Sequence, residues 1–97
     1  MKQLQRITTM ENVLEEIQQT LLSLAEVLEK YSHLQGKIQI LSNYYGSNEW
    51  KQDYTDDEQG KLPTTLKRGV LSEDGIWNVL QKNKELLHQM KEITENN

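Results

Sequence analysis

The sequence predicts an all-α protein in which a long amino-terminal helix and a shorter carboxyl-terminal helix pack as an antiparallel hairpin or small bundle. Ile7, Leu14, Leu21, Leu28 and Gln35 interleave with Met10, Ile17, Leu24, Tyr31, Ile38 and Tyr45 at steps of three and four residues. That spacing gathers them on one stripe of a helix, and its seven-residue period is that of coiled-coil packing. A second run of the same period, Ile76, Val79, Asn83, Leu86, Met90 and Ile93, flanked by Leu80 and Leu87, closes the chain. The only proline, Pro63, lies between the two runs, where a helix must stop.

Each element can be justified in turn. A helix is expected from about residue 3 to about 45, because the ladder runs through strong helix formers without a proline. Val13, Val27, Leu34 and Leu41 widen the stripe on one flank, as in a helix that meets more than one neighbour. Gly36 is a candidate kink, yet Tyr31 and Ile38 stay in phase across it, and continuity is the reading taken. At Tyr44-Tyr45-Gly46-Ser47 the helix should end, with Gly46 supplying a left-handed residue and Ser47 capping a short helix over about 48–58. Gly60 ends that helix, and a loop over 59–71 follows, in which Pro63 holds Leu62 extended. Ser72, as N-cap, then opens the last helix over about 73–94, with Glu73 and Asp74 facing the positive end of its dipole.

These lengths are unequal. At 1.5 Å per residue the first helix reaches about 65 Å and the last about 33 Å. A returning helix should therefore shield Leu24 to Tyr45 and leave Ile7, Met10, Leu14 and Ile17 without a partner in the same chain. Those four residues are the candidate partner-facing set, and a second copy of the chain or another helical protein is the expected partner. Gln35 and Asn83 both fall at inward positions, where a hydrogen bond between them would fix the register.

Composition bounds the function. The 97 residues carry a net charge of -4 and no cysteine, and hydrophobic residues make up 35% of the chain. An acidic chain is a poor nucleic-acid binder, since such proteins gain affinity by neutralising phosphates. Without cysteine there is no thiolate metal site, cysteine nucleophile or disulfide framework. No apolar run approaches the roughly 20 residues of a membrane span, and the start MKQLQRITTMEN has no signal-peptide stretch. A cytoplasmic location is the default expectation.

Possible sites of chemistry are few. Asp53, Asp56, Asp57 and Glu58 have the three-to-four spacing of magnesium-binding helices. They underlie the alternative reading, a small magnesium-dependent phosphohydrolase with Glu15 and Glu16 opposite. A solvated acidic surface is the simpler interpretation, because Glu15 and Glu16 flank the seam on its wet side. His33 and His88 have no ligand partners nearby in sequence, no serine sits in a nucleophile elbow, and no glycine-rich phosphate loop is present. Lys61, Lys67 and Arg68 suggest an anion site, but the acids opening the next helix would repel a phosphate. Pairing of Lys67 and Arg68 with Glu73 and Asp74, or with Asp56, Asp57 and Glu58, is the better reading. Tyr44, Tyr45, Trp50, Tyr54 and Trp77 should close the hairpin end as a mini-core with Leu62, Leu66, Val70 and Leu71 over it.

The segment Tyr-Tyr-Gly-Ser at 44–47, with Glu49-Trp50, Asp53, Asp57-Glu58, Gly60, Leu62-Pro63 and the run Leu66-Lys67-Arg68-Gly69-Val70-Leu71-Ser72-Glu73-Asp74, resembles a family of small bacterial proteins known only as a domain of unknown function. Arg6-Ile7 and Met10-Glu11 match it at the amino end. Gly75 and Trp77 depart from the alanine and tyrosine usual in that family. The resemblance implies a helical fold and no established activity, cofactor or catalytic residue. It makes Lys67, Arg68, Gly69, Ser72 and Asp74 a candidate clasp or docking element. The expected function is thus a non-enzymatic interaction or self-associating module that needs no cofactor. The phosphohydrolase stands second, and binding of an anionic ligand at Lys61, Lys67 and Arg68 third.

Overall fold

A computed structural model describes residues 2–96. It is all-α, with no strand among the described residues. Helix α1 spans Gln3–Tyr45, α2 spans Asn48–Glu58, a single 3-10 turn covers Gly69–Leu71, and α3 spans Gly75–Glu95. By their internal contacts the residues fall into two units, 1–35 and 36–97.

The first unit is one stretch of α1. Its helical pattern continues through Gly36, where an added Cβ would meet nothing within 4 Å. No residue of α1 is buried, and within this unit only Tyr31 and Gln35 are even half-buried among the described residues. Ile7, Met10, Leu14 and Ile17 are 49, 54, 49 and 51% exposed. The expected shielding of Leu24 and Leu28 is not found, since they remain 48 and 42% exposed. Gln35 Nε2 donates to the Tyr31 carbonyl at 3.2 Å.

The second unit holds the last turns of α1 with α2, the 3-10 turn and α3. Its core is small: Leu71 and Ile76 are 6 and 2% exposed, and the 3-10 turn packs against both α2 and α3. In α3 the inward face runs through Ile76, Leu80, Asn83 and Met90. Val79, Leu86, Leu87 and Ile93 stay exposed, so the stripe read from the sequence is rotated by part of a turn. Docking of Ile76 under the 3-10 turn sets that rotation, because Leu80 and Asn83 follow Ile76 on the same face at i+4 and i+7.

The turn between α1 and α2 also corrects an expectation. Gly46 does not adopt the left-handed conformation; among the described residues only Gly60 has a positive φ. A side chain would find only ordinary contacts at Gly46, the nearest being the Ser42 carbonyl oxygen at 3.8 Å. Ser47 makes the turn. Its hydroxyl donates to the Tyr44 carbonyl at 2.6 Å and accepts the Trp50 amide at 3.1 Å, so one side chain closes α1 and caps α2.

A candidate interaction face and a hydrogen-bonded clasp

Two features remain as candidate sites: the apolar face of α1 in the first unit, and the connection from α2 to α3 in the second. The α1 face needs little construction. Apolar side chains three and four apart fall on one stripe because a helix turns once every 3.6 residues. Hollows beside it, such as those lined by Leu4, Gln5, Thr8 and Thr9 or by Gln18, Leu21 and Leu22, are gaps between neighbouring side chains of α1. These hollows are open to solvent, unlike the enclosed pockets that hold small molecules.

The connection is built from the end of α2 onward. Gly60, at φ 70°, donates its amide to the Asp57 carbonyl at 3.0 Å, and Lys61 donates to the Asp56 carbonyl at 2.9 Å. These two bonds form a Schellman ending, which requires a left-handed residue and so favours glycine. Lys61 also brings its ammonium 3.9 Å from Asp56. After Pro63 a turn forms, with the Leu66 amide donating to the Pro63 carbonyl at 3.2 Å. The chain then folds over α2: Arg68 Nη1 donates to Asp57 Oδ1 at 2.9 Å, and Trp50 Nε1 donates to the Val70 carbonyl at 2.8 Å.

Ser72 completes the connection. Its hydroxyl donates to the Gly69 carbonyl at 2.9 Å and accepts the Gly75 amide at 3.0 Å. It thus ties the first amide of α3 to the turn, but the helix begins later than expected: Asp74 holds the N-cap position without a side-chain capping bond, and Glu73 and Asp74 precede the first turn rather than lying in it. The geometry also accounts for glycine at position 75. A Cβ there would lie 2.5 Å from Ser72 Oγ and 2.6 Å from the Gly69 carbonyl oxygen. Lys67 is exposed and forms no ion pair among the described residues.

The aromatic cluster is smaller than expected. Trp50 stacks on Tyr54, with ring centres 5.2 Å apart and planes at 23°, and meets Tyr45 edge-on at 5.1 Å. Leu71 is buried beneath the connection, but Leu66 and Val70 remain 49 and 42% exposed, and Trp77 lies on the surface. The tyrosine hydroxyls tie the acids down. Tyr44 donates to Asp53 Oδ2 at 2.7 Å, and Tyr54 donates to Glu73 Oε1 at 3.1 Å. Burial and the bond to Asp53 push the Tyr44 phenol up to about 12. Hydrogen bonds to Glu58 and Glu73 push Tyr54 up to about 12 as well.

Asp53, Asp56 and Asp57 thus each face a different internal donor: Tyr44, Lys61 and Arg68. Among the described residues, no group of three acidic or histidine side chains is placed to hold a metal ion. His33 approaches Glu29 at 4.0 Å and His88 approaches Glu92 at 3.1 Å, both along exposed helix surface. No described helix is long and apolar enough to cross a membrane. The bonds from Trp50 to Val70 and from Tyr54 to Glu73 span 20 and 19 residues and had no signature in local spacing.

A family model described as a domain of unknown function, DUF4298, matches residues 7–93. No curated protein matches the chain, and no solved structure does.

Proposed function

Because the chain belongs to the DUF4298 family, whose model spans the exposed stretch of α1 and the connection to α3 alike, we propose that it works as a non-enzymatic helical interaction module. Residues 7–28 are its working face, and the α2–α3 connection is a structural clasp. One observation carries this reading. Ile7, Met10, Leu14, Ile17, Leu21, Leu24 and Leu28 lie in coiled-coil register, and each keeps between 42 and 59% of its surface in water. Leaving seven large side chains half in solvent forgoes roughly 1 kcal/mol apiece, a substantial loss for a domain whose whole stability is on the order of 5 to 15 kcal/mol. A helix that covers the face recovers that loss.

Exchange of amide hydrogens tests the reading. An uncovered helix of this kind owes little of its stability to tertiary packing, and its amides should exchange quickly. Residues 7–28 of the intact chain should gain protection as its own concentration rises or as a helical partner is added. Met10→Asp should abolish that gain while leaving the amides of α2 and α3 unchanged. Rapid exchange at 7–28 in both chains, under every condition of concentration and partner, refutes the reading.

A further inference from the structure

We propose that the occupant of the α1 face is a second copy of this chain, laid parallel and in register, with Arg6 of each copy paired to Glu11 of the other. This rests on the interaction-module reading and names its partner. With Ile7, Leu14, Leu21 and Leu28 at position a of the heptad and Met10, Ile17 and Leu24 at position d, Arg6 falls at g and Glu11 at the following e. In a parallel, in-register pair the g residue of one helix faces the e residue five places on in its partner, where opposite charges select orientation. Arg6 and Glu11 are separated by those five places. The rest of the flank is neutral: Val13, Thr20 and Val27 at g, and Gln18, Ala25 and Ser32 at e.

The antiparallel arrangement lacks this match. There g faces g and e faces e, so a core that overlays Ile7–Leu28 on its copy sets Arg6 against Val27 or Leu34 and Glu11 against Gln18 or Ala25. Neither charge finds an opposite. Within one chain, too, Arg6 and Glu11 are not neighbours, because side chains meet on a helix at three and four residues' separation. Among the described residues, neither forms an ion pair in its own chain. The seam from Ile7 to Leu28 extends over three heptads, the length at which such a repeat becomes diagnostic of a coiled coil.

Charge reversal in the full-length chain tests the pairing. Arg6→Glu alone and Glu11→Arg alone should each weaken self-association in sedimentation equilibrium by about threefold to tenfold, and the double variant should restore it. Mixing the two single variants should give a mixed dimer in excess of either homodimer, since both of its g–e pairs are then attractive. The chain has no cysteine, so Leu14→Cys provides a separate readout and should form a disulfide-linked dimer in mild oxidant. A dimer that shows neither charge rescue nor Leu14→Cys crosslinking overturns the parallel register. A chain that stays monomeric to hundreds of micromolar overturns self-pairing. Loss of a helical partner's protection of residues 7–28 in Met10→Asp would then still uphold the broader reading, so the two failures are distinguishable.

Discussion

Gly36 and Gly75 are both helical in this chain, and the same substitution at each should act in opposite directions. At Gly36 a Cβ meets open space, so Gly36→Ala should stabilise the protein by roughly 0.5 to 1 kcal/mol through helix propensity alone. At Gly75 alanine has the same intrinsic advantage, but its Cβ would press on Ser72 Oγ and the Gly69 carbonyl. Overpacking of that kind costs about 1 to 3 kcal/mol, and Gly75→Ala should lower the denaturant midpoint. Gly60→Ala should cost about 1 to 2 kcal/mol because its φ is left-handed. Urea titration of the three variants checks all three signs. Tyr44 offers a further test. Its raised phenol favours the folded state fully below the ordinary tyrosine value of 10, and that contribution is lost as pH rises through about 12. Stability should therefore fall between about pH 10 and 12, and Tyr44→Phe should flatten the decline. The cap at Ser47 was legible in the sequence because a serine before a helical pattern has a local physical role. The crowding at Gly75 was not, since it depends on a carbonyl six residues away.

At the scale of elements, α1 was legible because a seven-residue period held over five heptads leaves little choice of secondary structure. The inward face of α3 was legible only in part. Periodicity gives the stripe, but the 3-10 turn docking on Ile76 decides that Leu80 lies inward and Val79 outward. The clasp was legible as a set of residues and not as a set of bonds. Arg68 and the acids of α2 were expected to meet, whereas the indole of Trp50 on the Val70 carbonyl depends on how the loop folds back. Arg68→Ala removes a pair that is partly exposed on both sides, and such pairs contribute about 0.2 to 1 kcal/mol. The variant should therefore melt only slightly lower and keep its helical circular dichroism.

For the molecule as a whole, burial is unevenly divided. Leu71 and Ile76 lie in the second unit, and no residue of α1 is buried. If the α1 face is covered by a second copy, folding and association are linked, and the melting temperature of the intact chain should rise with its concentration. Each tenfold increase in protein contributes about 1.4 kcal/mol to a dimer. Calorimetry over two decades of concentration should show that rise for the native sequence and its absence for Met10→Asp.

The two indoles experience different surroundings. Trp50 is held between Tyr45 and Tyr54 with its nitrogen on a backbone oxygen, while Trp77 is 51% exposed. Their emission should separate accordingly, with iodide quenching Trp77 strongly and Trp50 weakly. A chain carrying Trp77→Phe would keep a single indole, whose signal on excitation at the red edge reports the opening of the loop over α2, independently of whatever meets the amino-terminal helix.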